Sequence, residues 1–278
     1  MTKTATKDVL VIQPSRGWSQ LELGELWRYR EMLWYLTSRE VKGRYRQMAL
    51  GPLWIVLKPL LDMVVFSAVF GGLARLPSEG VPYPLFTFSA IIPWTYFFTA
   101  ASNSSNSLVQ RLTIISKVYF PRLVVPFSAA VAPLVDLAAS FVILLGLIVF
   151  YGVALTPAIL MLPFYALLAF LTAFAIGLWS ATLAVRFRDV NYAVTYALRM
   201  GMYATPVAYS ATLVPERWEL LYKMNPMFWV VEGFRWALLG IGHGPEPLML
   251  VPVAGVLVLL VSGAYVFRRL ETNIVDLI

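Results

Sequence analysis

Apolar runs of about twenty residues, bounded by charged or Pro/Gly-rich turns, recur along this chain and leave few folds open to it. They cover Leu53 to Leu73, Pro84 to Ala101, Val124 to Tyr151, Ala158 to Val185, a stretch beginning at Val190, and Leu248 to Phe267. Runs of that length are long enough to cross a bilayer as helices. Composition agrees: 59% of residues are hydrophobic and 13% charged, against about a quarter charged in a soluble domain. The expectation is an all-α integral membrane protein with six transmembrane helices. Lys and Arg gather before the first run and in alternate turns, the positive-inside pattern, which places both termini in the cytoplasm. The formal charge of +7 is then a topological signal. A nucleic-acid footprint needs a basic face on a soluble fold, so no nucleic-acid partner is expected.

The segment after the fifth run departs from this rhythm. Val214 to Pro226 is short and amphiphilic, and Met227 to Gly240 is apolar but carries Glu232 and Arg235. Apolar pieces of about 10 to 14 residues read as re-entrant or interfacial rather than spanning. Irregular backbone at membrane depth survives only where protein or a water-filled cavity covers it. Re-entrant outer helices between spans five and six, beside a cavity, are the expectation. At the other end, residues 1–20 read as a polar tail with no cleavable signal peptide. Residues 21–50 read as an amphipathic cytoplasmic interface helix, its aromatics toward the acyl boundary and Arg28, Arg39, Arg44 and Arg46 toward headgroups. Residues 51–278 make one transmembrane domain.

Chemistry-bearing motifs are sparse. There is no Gly-x-x-x-x-Gly-Lys-Ser/Thr phosphate loop, no nucleophile elbow and no His-Glu-x-x-His. Cysteine is absent and His243 stands alone, which leaves no metal cluster to expect. The chain is therefore read as a transport subunit without enzymatic chemistry or a bound cofactor. Charges inside the spans are costly in lipid, and they pair or face a cavity. Lys58 and Asp62, one turn apart, are placed to neutralise each other. Asp62, Asp136 and Arg199 are expected near mid-depth, with Arg199 paired to Asp136 or Asp62 as a fold-stabilising contact or a polar patch on a conduit. Ser107 is placed to cap a short helix running to Lys117. Aromatics gather toward the outer end as an interfacial belt. Trp94, Tyr96, Phe97, Tyr203, Tyr222 and Trp229 are candidates for a smaller set that stacks on sugars.

Four stretches carry a resemblance: Arg39-Glu-Val-Lys-Gly-Arg44-Tyr-Arg-Gln-Met-Ala-Leu-Gly51-Pro52-Leu-Trp54; Ile115-Ser-Lys117-Val-Tyr-Phe-Pro121-Arg122; Arg186-Phe-Arg188-Asp189-Val; and Asn225-Pro226-Met with Glu232-Gly-Phe-Arg235. In these the chain resembles the permease subunit of ABC-2 type polysaccharide exporters, which move O-antigen, teichoic acid or capsule polymers. The resemblance implies a homodimer of six-span subunits joined to two copies of a separate ATPase that uses ATP and Mg, with a lipid-linked polysaccharide as substrate in the inner membrane. It implies that the helix around Arg28, Arg39, Arg44 and Arg46 is a gate, and that Ser107, Gln110, Arg111, Ser116 and Lys117 form a coupling helix against the ATPase. The Val214 to Gly240 pieces would cap a channel at the dimer interface. Competing expectations are an ABC-2 exporter of small lipids or drugs, and a membrane glycan enzyme using Glu216, Glu219, Glu232 or His243.

Overall fold

The computed structural model describes residues 28–45, 50–111, 120–187 and 189–271. Among them every regular element is helical. In chain order these are α1 (Arg30–Tyr45), α2 (Trp54–Phe66), α3 (Tyr83–Gln110), α4 (Val124–Val131), α5 (Leu134–Phe150), α6 (Leu162–Arg186), α7 (Val190–Gly201), α8 (Glu216–Lys223), α9 (Pro226–Leu239) and α10 (Leu250–Glu271). A π-helical turn, Ser67–Leu73, extends α2 into one rod. Pro133 breaks the third apolar run into α4 and α5, because proline supplies no N–H and its ring clashes with the preceding turn.

Among the described residues five helical rods are long and apolar enough to cross a membrane: Trp54–Leu73, Tyr83–Gln110, Val124–Phe150, Pro157–Arg186 and Pro247–Arg269. The run from Val190 gives only the 12-residue α7, too short for a crossing of about 30 Å. Turn residues follow it up to Ser210.

The bundle is built around α3, which packs against α2, α4, α5, α6, α7 and α9 and is largely buried. By contrast α2 and α10 keep most of their surface outward. The α3 helix has 28 residues, about 42 Å. That overruns a hydrocarbon core of about 30 Å, so its Ser/Asn-rich end projects beyond the apolar slab. By sequence this run ends at Ala101 and a new helix starts at Ser107, whereas the helix continues through both. Its polar side chains bond locally instead: Asn106 Nδ2 donates to Ser102 O at 2.9 Å and Ser107 Oγ to Ser104 O at 2.7 Å. Ser107 is therefore a buried residue of α3, not the cap of a new helix.

Of the expected 21–50 interface helix, Arg30–Tyr45 is described and is weakly amphipathic, and residues 21–27 and 46–49 lie outside the described residues. Tyr29, Met32, Leu33 and Leu36 face the core and α1 packs on α4, while Trp34 and Tyr35 point outward. At the other end of the bundle, α9 has explicit start and stop signals. Asn225 accepts a hydrogen bond from Met227 N at 3.0 Å, Pro226 occupies the first turn, and Gly240 closes the helix with φ +70°. These are the physical content of the Asn-Pro pair and of the terminal glycine.

Candidate functional site

Three arrangements of polar side chains stand out in an otherwise apolar molecule. The first is at the end of the bundle where α1 meets the spans. Arg44 Nη1 lies 2.8 Å from Asp136 Oδ2, and Arg111 at the end of α3 pairs with Glu40. Glu40 and Arg44 are one turn apart on α1, so this helix is tied to the bundle by two ion pairs of opposite polarity. Beside them is a cavity of about 890 Å³, lined by Glu40, Arg44, Lys58, Asp62, Thr95, Asn103 and Asp136 among others. Asp62 and Asp136 thus share one cavity. The expected pairing with Arg199 is corrected: the partner of Asp136 is Arg44, from a helix the sequence left separate. Arg199 lies on another surface.

That surface is the second arrangement. Tyr192, Tyr196, Arg199 and Tyr203 recur at helical spacing on and just beyond α7, and the three tyrosines are 82%, 66% and 66% exposed. A cavity of about 660 Å³ beside them is lined by Asn106, Asn191, Thr195, Tyr192, Tyr196 and Arg199. Asn191 is held from behind, its Oδ1 accepting from Ser105 Oγ at 2.8 Å. A strip of phenol rings, amides, a hydroxyl and one guanidinium offers flat faces for stacking and many hydrogen bonds to hydroxyl-rich ligands.

The third arrangement fixes the re-entrant segment. Arg235 is fully buried and its Nη1 is 2.7 Å from Glu232 Oε1. It also donates to Pro206 O at 2.6 Å and Val207 O at 2.8 Å, and its guanidinium lies 3.7 Å above the Phe86 ring. Glu232 Oε2 accepts from His243 N at 3.3 Å. Glu79 accepts from Gly242 N and from Ser210 Oγ. The two charges that disqualified α9 as a lipid-facing span thus neutralise each other and clamp α9 to α3 and to the chain after α7. Nearby, Lys223 bridges Glu219 at 3.0 Å and Glu246 at 3.1 Å. Desolvation would lower the Lys223 pKa, but the two carboxylates outweigh it and raise it. Burial would raise Glu246, yet its bonds to Lys223 and His243 hold it below the usual carboxylate range. Burial first, and the Tyr222 hydroxyl second, push Tyr209 up.

The remaining candidates scatter. Arg28 and Arg39 are exposed on or beside α1, and Gln110 is exposed at the end of α3. Arg46, Ser116 and Lys117 lie outside the described residues. Trp94, Tyr96, Phe97 and Trp229 are packed in the protomer core, Tyr96 donating to Ala130 O at 3.2 Å. Tyr203 is exposed and Tyr222 half-buried. Sequence reasoning passed over Glu40, Glu79, Tyr192 and Tyr196. The four-residue spacing of Glu40 from Arg44, and of Tyr192 from Tyr196, was the available signal.

Comparison with known proteins bears on all three arrangements. Residues 31–239 match the family described as ABC-2 type transporter. The chain is 32% identical to the O-antigen export system permease protein RfbA of Myxococcus xanthus over 253 residues, covering 89% of this chain and 96% of that one. It is 25% identical to the RfbA of Klebsiella pneumoniae, at 89% and 95% coverage. It is 24% identical to the polysialic acid transport protein KpsM of Escherichia coli, at 73% and 80% coverage. The match spans α1 through α9, ion pairs, tyrosine strip and clamp included: the chain belongs to the ABC-2 type transporter family.

Proposed function

We propose that this chain is the transmembrane subunit of an ATP-driven exporter that carries a lipid-linked polysaccharide outward across the cytoplasmic membrane. The observation that carries the proposal is the exposed strip of Tyr192, Tyr196, Arg199 and Tyr203. The outward face of α10 is by contrast largely aliphatic, as at Leu250, Val251, Val258 and Val261, which suits contact with lipid. An arginine against lipid is costly, and such residues face a water-filled path or protein. The α7 strip therefore belongs on an aqueous conduit completed by a second copy of the chain. The names of the relatives supply the cargo class.

In this mechanism α7 and the turn residues after it make the fifth of six crossings, the α8–α9 re-entrant segment follows on the outside, and both termini are in the cytoplasm. Two copies of a separate ATPase, using ATP and Mg, dock near Gln110, Arg111 and the segment that follows. Their closing and opening is transmitted through α1 and the α3 end, and the two subunits part along the strip. Selectivity comes from stacking on tyrosine faces and from conduit width, since a chain moving through a path cannot be held in a tight pocket.

The test is export by right-side-out cells or vesicles carrying the chain with its cognate ATPase. Tyr196→Ala combined with Arg199→Met should lower polymer export about tenfold or more, while membrane insertion and ATPase assembly stay intact. Unchanged export by the double variant would remove the strip from the conduit.

A further inference from the structure

We propose that the cavity between α1, α2, α3 and α5 binds a phospholipid with an ethanolamine headgroup. This does not rest on the polysaccharide reading, since it needs only a chain in a bilayer.

Position comes first. From Tyr83 to Asn103 the α3 helix rises about 30 Å, the thickness of a hydrocarbon core. Asn103 therefore sits at the cytoplasmic rim of the apolar slab, and Ile91, which lines the same cavity, sits about 18 Å deeper. The cavity is aligned with the bilayer normal, as a lipid is. Glu40 lies further out still, because it pairs with Arg111 at the far end of α3.

Chemistry follows the same axis. The outer end presents Glu40 and Arg44, whose guanidinium reaches Asp136. Lys58 is one turn into its span, Thr95 and Thr99 are deeper, and Ile91 and Ile92 close the inner end. A phospholipid has that order: charged headgroup, ester oxygens, acyl chain. The charges are balanced, with Glu40 held by Arg111 and Asp136 by Arg44, which favours a zwitterionic headgroup over an anionic one. Two donors remain for a phosphate. Arg44 Nη2 is buried without a hydrogen-bond partner among the described residues, and Lys58 closes no ion pair with Asp62 one turn away. A buried donor left unsatisfied costs on the order of 1–3 kcal/mol, so a phosphate there relieves a real penalty. The ammonium then lies outermost, beside the Glu40 carboxylate. A trimethylammonium group cannot donate to it, so a choline headgroup is disfavoured.

The full-length chain, purified in detergent with its ATPase and stripped of loosely held lipid, is incubated with dioleoyl phosphatidylethanolamine, phosphatidylcholine or phosphatidylglycerol. Retained lipid is counted by native mass spectrometry. Ethanolamine lipid should be retained about tenfold better than either other lipid, and Lys58→Met should lower its retention about tenfold. Ser140→Phe, which fills the cavity and leaves every charge in place, should abolish retention even if Lys58→Met fails to fold. Equal retention of the three lipids, retention unaffected by Ser140→Phe, or a polyprenyl phosphate as the species held there would each overturn the assignment.

Discussion

Arg235 with Glu232 and Arg44 with Asp136 are the same chemistry in two settings. The outer pair is 0% and 1% exposed and joins residues three apart on one helix. The inner pair is 20% and 32% exposed and joins residues 92 apart on different elements. The outer guanidinium is over-determined, with backbone carbonyls and a ring face holding it besides the carboxylate. The inner one leaves a donor without a partner among the described residues. A charge pair that is buried and fully bonded fixes geometry, because opening it strands two charges away from water. A half-exposed pair between separate elements opens cheaply. The end of the bundle held by Arg235 and Glu232 is the more firmly fixed, and the end held by Arg44 and Asp136 opens at lower cost.

Several substitutions sharpen that contrast. Arg235→Met leaves the Glu232 carboxylate buried alone and should cost roughly 3–5 kcal/mol, seen as loss of folded protein in membranes by fluorescence size-exclusion. Glu232→Gln should be milder, since it keeps an acceptor for Arg235. Next in size is Gly233→Ala. An added Cβ would fall 2.2 Å from the Tyr165 ring, an overpacking cost of roughly 1–3 kcal/mol, and Tyr165→Leu in the same chain should restore much of the lost thermal stability. Smaller again, Arg44→Met or Asp136→Asn should change stability by on the order of 1 kcal/mol yet alter export and coupled ATPase rates. The charge-swapped double variant should recover stability better than either single charge reversal. Equal stability losses at the two ends would erase the distinction between clamp and hinge.

The smallest effect is pH dependence around α8. Glu246 titrates below its ordinary value of 4.5 when folded, so its contribution is present above that value and fades as pH falls through the folded pKa. Lys223 titrates above its ordinary 10.5, so its contribution is complete below that and fades as pH rises through the folded pKa. Protease protection of the 216–247 segment should be flat between these limits and fall first on the acid side. Lys223→Met should flatten the acid-side fall.

The same contrast separates what was legible in the sequence from what was not. The ends of α9 were written in Asn225, Pro226 and Gly240, and the apolar runs gave five span-length rods directly, because local geometry and hydropathy are properties of adjacent residues. The pairing of Asp136 was not legible. It depends on α1 folding back along α4, and nothing near Asp136 in the chain signals that. The Ser102 to Ser107 stretch misled for a related reason. Ser and Asn favour turns when their side chains compete with the backbone. Here tertiary partners absorb them: Ser104 donates to Pro126 O at 2.9 Å, and its small side chain admits Gly177 of α6, where a Cβ would come within 2.3 Å. The tyrosine strip was half visible. Tyr203 was singled out, whereas Tyr192 and Tyr196 looked like ordinary span residues until their exposure was known.

The conduit assignment is tested most directly by placing a photo-crosslinking p-benzoylphenylalanine at Tyr196 and, as a control, at Val258 on the aliphatic face of α10. Illumination during active export with the cognate ATPase should give a polysaccharide adduct at 196 that requires ATP, and only phospholipid adducts at 258. Phospholipid adducts alone at both positions, with export proceeding, would contradict the assignment of α7 to the path.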